Sequence, residues 1–131
     1  MIERWNNVVK PEDRVYHLGD FAFGKGSREK IPEYVKTLHG KIILTKGNHD
    51  RQTNTWYQNA GFYQVIEHPW TYNPKKKVIF SHFPQPNKGM INVHGHIHNL
   101  YHIHPSGLYV NMSVEVIGYT PINLEELLDE V

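Results

Sequence analysis

Four times along this chain, a short apolar run ends in a cluster of residues rich in lone pairs. Val15-Tyr16-His17-Leu18 runs into Gly19-Asp20, and Ile42-Ile43-Leu44 leads to Gly47-Asn48-His49-Asp50. Val78-Ile79-Phe80 ends at Ser81-His82, and Met90 to Val93 leads to His94-Gly95-His96-Ile97-His98. Short apolar runs of this kind are expected as buried strands. In α/β folds, ligands and reacting groups gather outside the carboxyl ends of strands. Four clusters in that relation predict one site assembled from four loops, and they restrict the fold to one that brings four strand ends together.

Helical patterns fill the intervals. Met1 to Val9 reads as the end of an amphipathic helix with Ile2, Trp5 and Val9 at helical spacing. Ser27 is a candidate N-cap for a helix whose stripe is Ile31, Tyr34, Val35 and Leu38, ended by Gly40. Thr53 to Ala60 suits a short helix stopped by Gly61, and Phe62 to Ile66 a strand. Leu108 to Val116 alternates as a strand, and Pro121 to Leu128 suits a closing helix. Strands alternating with helices, then mostly strands, predict a layered α/β domain with a mixed sheet. The length, 131 residues, fits a single domain spanning 1–131.

Composition narrows the chemistry. There is no cysteine, so disulfides and thiolate metal sites are excluded. A formal charge of +1 gives no global basic field of the kind that marks many nucleic-acid binders. No apolar stretch approaches a membrane span and no signal peptide is visible, so a cytoplasmic location is the expectation. Histidine is abundant at ten residues, and five of them, His94, His96, His98, His102 and His104, crowd into one region. Histidine is the commonest metal ligand.

Each cluster suits metal chemistry. Asp20 has two oxygens and can bridge two ions. Asn48 offers a neutral amide oxygen, while its neighbour His49 points elsewhere on an extended backbone and can face a substrate. Asp50 is placed to orient the His49 ring. His82 follows a strand, and His96 and His98 share a face if that segment is extended. His94 and His102 fit the same alternation, so spacing alone leaves the pair open. Oxygen and nitrogen donors of these kinds suit Mn²⁺, Fe, Zn²⁺, Co²⁺ or Ni²⁺.

Together, Gly19-Asp20, Gly47-Asn48-His49-Asp50, His82 and Gly95-His96-Ile97-His98 resemble the calcineurin-like metallophosphoesterase superfamily, and His17 to Phe21 resembles its small single-domain bacterial and phage members. The resemblance implies an α/β/β/α sandwich with two mixed sheets and a centre of two divalent transition metals. Asp20 would bridge the two, Asn48, His82 and His96 would complete the second metal, and His98 would serve the first. Hydrolysis of a phosphomonoester or phosphodiester would proceed through a metal-bridging hydroxide, with His49 assisting the leaving group. Arg51 or Lys46 would touch a phosphate oxygen. The expected substrate is a small phosphate ester or nucleotide, and an oligomer is compatible with the sequence.

One part of the pattern has no match. The superfamily opens with a strand bearing Asp-x-His, and no Asp-x-His occurs here. The expectation is an N-terminally incomplete domain, from a fragment or a late start. A strand supplied by a second chain and a one-metal or inactive form are the other readings. Two rival functions remain: a histidine-rich metal-binding module using His82, His94, His96 and His98, and a nucleic-acid binder using Lys75-Lys76-Lys77 beside Trp70 and Tyr72.

Overall fold

A computed structural model of the chain describes residues 2–19, 27–72, 77–86, 89–95, 109–112 and 120–129, the side chains of 27 and 28 excepted. The element order is α1 (Ile2–Val8), β1 (Arg14–His17), α2 (Ser27–Thr37), β2 (Lys41–Thr45), α3 (Asn54–Ala60), β3 (Gln64–Ile66), β4 (Trp70–Thr71), β5 (Val78–Ser81), β6 (Ile91–His94), β7 (Tyr109–Asn111) and α4 (Leu124–Asp129). The strands form two sheets, ordered β1-β2-β3 and β4-β5-β6-β7. The expected layered α/β fold with two sheets is what the chain adopts. Among the described strands the first sheet is parallel throughout, and the second is mixed because β4 runs antiparallel to β5.

Pleat alternation divides the first sheet between two cores. Val15, Ile42 and Leu44 join Trp5 and Val9 of the α1 segment, Ile31, Val35 and Leu38 of the α2 segment, and Tyr57 and Ala60 of α3. Tyr16 turns to the other face and joins Leu18, Val78, Phe80, Val93, Val110 and Leu127. Burying each of these larger apolar side chains contributes about 1.5–3 kcal/mol. The rings of Tyr16 and Phe80 stack 13° from parallel with centroids 5.3 Å apart, and Trp70 and Tyr72 close around them. The Trp70 indole N–H also donates to Thr45 Oγ1 at 2.9 Å, tying β4 to β2. Trp70 and Tyr72, which the sequence offered as base-stacking surfaces, are thus committed to inter-sheet packing. Lys75 and Lys76 lie outside the described residues.

The partner of α1 is now visible. Trp5 Nε1 donates to the His39 carbonyl, Asn6 Nδ2 donates to the Thr37 carbonyl, and Asn6 Oδ1 accepts from the His39 amide, each at 2.8 Å. His39 Nδ1 donates to the Val9 carbonyl at 3.0 Å. These bonds satisfy carbonyl and amide groups left over where α2 ends. Gly40 follows at φ +98°, where a Cβ would meet Val9 Cγ1 at 2.9 Å. Elsewhere, α3 starts at Asn54 because Thr53 caps it, accepting from the Trp56 amide at 3.1 Å, and it ends at the expected Gly61. The closing helix starts at Leu124 rather than Pro121 because Asn123 Oδ1 accepts from the Glu126 amide at 3.1 Å and acts as the cap. The third strand is shorter than expected, since the Phe62 amide returns to the Tyr57 carbonyl in the α3 stop. Of the strand expected over 108–116, β7 is the part inside the described residues. No described helix is long and apolar enough to cross a membrane.

The Tyr16 phenol is held above its ordinary value by burial first and by its coupling to Tyr72, with Arg14 opposing. Such a group keeps its proton longer in the folded chain than in the unfolded one, so stability falls as pH rises past about 10. The urea midpoint should drop between about pH 8 and pH 10.5, and Tyr16→Phe should make that drop smaller.

Candidate functional site

The expected strand ends do meet, and His82 is where they meet. Its ring is 4% exposed. Nδ1 lies 2.7 Å from the Leu18 carbonyl just beyond β1, and Nε2 lies 2.9 Å from Asn48 Oδ1 in the loop after β2. The His82 carbonyl accepts from the Gly95 amide at 2.9 Å, which draws in the end of β6. Loops following β1, β2, β5 and β6 therefore converge on one imidazole.

Glycine makes the approach possible. Gly19 has φ +100°, and a Cβ there would sit 2.5 Å from His82 Nδ1 and 2.6 Å from the Gly47 nitrogen. A side chain at Gly19 would separate the loops, besides being strained at that φ. Gly95 also lies against this ring, a Cβ there falling 3.2 Å from the Leu18 carbonyl and 3.6 Å from His82 Nδ1.

The donor set can be tested for a metal. A carbonyl only accepts, so the bond to Leu18 fixes the proton on His82 Nδ1. The other nitrogen then turns its lone pair toward an amide oxygen 2.9 Å away. A shared cation satisfies both atoms, as does a second ring proton or an amide turned end for end. Two ligand atoms each about 2.1 Å from one ion and about 90° apart lie about 3 Å from each other, so the spacing fits adjacent ligands of a single ion. Three further residues of the expected set, Asp20, His96 and His98, lie outside the described residues, as do His102 and His104. Among the described residues no group of three or more His, Cys, Asp or Glu is arranged to hold a metal.

Around this pair, the Gly47–Asp50 turn is closed from within. Asp50 is 4% exposed, and its Oδ2 accepts from the Gly47 amide at 2.8 Å. Asn48 and His49 stand on the exposed outside of the turn, and Arg51 is exposed beside them. Lys46 is engaged elsewhere. Its ammonium donates to the Gln52 carbonyl at 2.8 Å and Asn54 Oδ1 at 3.2 Å, lies 3.4 Å from Glu67 Oε1, and sits 5.6 Å from the Tyr57 ring centroid. It binds the turn to the start of α3 rather than standing ready for a phosphate oxygen.

The inner support of His82 went unread in the sequence. Register puts Ser81, His94 and Asn111 side by side across β5, β6 and β7, with Asn92 one pleat earlier on the same face, and all four are fully buried. Asn92 Nδ2 donates to the Ile79 carbonyl at 3.1 Å and Ser81 Oγ at 2.9 Å, and its Oδ1 accepts from the Gln85 amide at 2.7 Å. Ser81 Oγ donates in turn to the Phe83 carbonyl at 2.6 Å. The segment carrying His82 is thus pinned on both sides. An amide inside the apolar run Ile91-Asn92-Val93 was the available signal. His94 Nδ1 donates to the Gly95 carbonyl at 2.9 Å, and burial foremost, with nearby His82 in support, holds its pKa below the ordinary histidine value.

The family model for calcineurin-like phosphoesterases matches residues 1–129. An uncharacterized protein of Methanocaldococcus jannaschii is 35% identical over 136 aligned residues, which cover 95% of this chain and 69% of that protein. Among solved structures, a protein of unknown function from Aquifex aeolicus superposes with a TM-score of 0.75 at 23% identity, over 99% of this chain and 82% of its own, a likeness of fold. A nuclease of Pseudomonas putida superposes in part, with a TM-score of 0.49 at 27% identity over 65% of this chain and 44% of its own.

Asn92→Ala strands the Gln85 amide and the Ile79 carbonyl in the interior. It should lower the free energy of unfolding by about 1–3 kcal/mol, read by urea denaturation.

Proposed function

This chain belongs to the calcineurin-like phosphoesterase family, and we propose that it hydrolyses a phosphomonoester or phosphodiester at the converging strand ends. The observation that carries the reading is the meeting of His82 Nε2 and Asn48 Oδ1 at 2.9 Å, where the loops after β1, β2, β5 and β6 converge. With its Nδ1 proton held by the Leu18 carbonyl, the His82 ring turns a lone pair toward the Asn48 oxygen, a pairing that one cation between them satisfies.

In this reading Asn48, His82 and His96 would hold one divalent transition metal, His98 would serve another, and Asp20 would be shared between the two. The ions, drawn from Mn, Fe, Zn, Co or Ni, would supply positive charge to the phosphoryl oxygens and lower the pKa of an attacking water. His82 is held at a fixed angle by its bond to Leu18, so its ligating nitrogen needs no reorganisation. His49, exposed on the outside of the turn, gives a proton to the departing oxygen. Asp50 keeps the turn closed through the Gly47 amide, which fixes where His49 projects. Arg51, exposed next in sequence, contacts a phosphate oxygen. Asp20 and His98 would be this chain's ligands to the first metal.

Metal content tests the centre before any substrate is known. After incubation with Mn²⁺ and removal of excess, elemental analysis should find two ions per chain where the first site is completed, and Asn48→Ala or His82→Ala should lower the count. A count of zero in the unaltered chain would remove the assignment. His49→Ala should retain the metal and lose roughly 10²- to 10⁴-fold in kcat on a p-nitrophenyl phosphoester. Full activity in that variant would remove His49 from the mechanism.

A further inference from the structure

Four large apolar side chains are exposed among the described residues: Val8, Tyr63, Phe83 and Ile122. Val8 ends α1 and Ile122 precedes α4. Tyr63 lies with Arg14 and Lys41 at the amino-terminal end of the first sheet, 6.0 and 5.4 Å from their charges. Phe83 alone follows directly from a strand end at the converging loops. It is 42% exposed, and its ring stands edge to face with His82, centroids 4.8 Å apart at 83°.

The backbone beneath this ring is unusually well held for a loop. The Phe83 carbonyl accepts from Ser81 Oγ at 2.6 Å and from Gln85 Nε2 at 3.3 Å. The Gln85 amide is in turn bound to Asn92 Oδ1 at 2.7 Å, and Asn92 is fully buried. An apolar ring kept partly in water by a buried polar network loses little conformational entropy when another ring covers it. Flat rings stack on aromatic side chains with little regard to their identity.

We propose that Phe83 is a stacking platform that favours phosphate esters carrying a flat ring, a nucleobase or an aryl group, next to the phosphate bound beside His82. The inference rests on the phosphoesterase reading and adds its substrate class. It accounts for an exposed aromatic ring at the converging loops, and for the bracing of a segment that a metal ligand alone would need only at His82.

The test compares ligands that share a phosphate and differ in the ring. Binding of AMP, phenyl phosphate, ribose 5-phosphate and methyl phosphate to the Mn²⁺-loaded full chain is measured by calorimetry, for the unaltered protein, Phe83→Leu and Phe83→Trp. The ring-bearing ligands should bind more tightly than their ringless counterparts, and Phe83→Leu should reduce that ratio by roughly 5- to 150-fold. Phe83→Trp should keep it. Preference for AMP over phenyl phosphate would identify a nucleobase as the ring, and equal ratios would identify any aryl group. If Phe83→Leu weakens all four ligands alike, the ring only braces His82 and the platform is overturned. Hydrolysis of p-nitrophenyl phosphate and of bis-p-nitrophenyl phosphate is followed in parallel. Hydrolysis without a ring preference removes the platform and leaves the phosphoesterase reading. A Phe83-dependent ring preference without hydrolysis does the reverse.

Discussion

The hydrogen bond from His82 Nδ1 to the Leu18 carbonyl joins the two sheets at the point where the chemistry is proposed. Its partners are 64 residues apart and directly follow strands of different sheets. The bond does three things at once. It satisfies a carbonyl left beyond the end of β1, it fixes the tautomer of a buried imidazole, and it ties the loop after β1 to the end of β5. Gly19 is the steric condition for it, since any Cβ there would occupy the space of the His82 ring and the Gly47 backbone. The aromatic group around Tyr16 and Phe80 then works as a spacer farther along the same interface, holding the sheets at the separation which that bond requires.

The second sheet has two unlike faces, and the contrast explains how a polar site is held without softening the core. One face carries Val78, Phe80, Val93 and Val110 into the apolar cluster. The other carries Ser81, Asn92, His94 and Asn111, all withdrawn from water. Buried polar groups are stabilising only when partnered, and a satisfied network specifies one geometry where an apolar surface tolerates several. Asn92 is the clearest case, since its amide reaches two acceptors and its oxygen holds the Gln85 amide. The site is thus rigid from behind and open in front, where Asn48 and His49 are exposed.

Much of this was legible in the sequence because it depended on local pattern. The apolar runs gave β1, β2 and β5, the stripe through Ile31 and Val35 gave α2, and the Gly61 stop gave α3. What depended on a distant partner was not legible. Whether the first sheet is parallel or mixed is decided by pairing, which no single run reveals. Two-residue β4 is too short for any periodicity, and it exists because Trp70 and Thr71 find β5. Lys46 looked like a free cation beside a phosphate site, yet its partners lie along the turn and α3. The meeting of His82 with Asn48 was expected from the family resemblance, whereas the ring's attachment to Leu18 and the support from Asn92 could not be read from spacing. For Asp20, His96 and His98 the sequence pattern and the family remain the basis of their assignment.

The span of the His82–Leu18 bond also has a consequence for how the molecule is made. Contacts between residues so far apart in sequence form late, after the loop-closure entropy of the intervening chain has been overcome. A nascent chain that has emerged only as far as β3 already contains Asn48, His49 and Asp50 but has no His82 to set opposite them. In the proposed reading, capture of a metal ion by the His82–Asn48 pair would therefore be reserved for a chain whose two sheets have docked, and a half-folded molecule would present only fragments of a chelator.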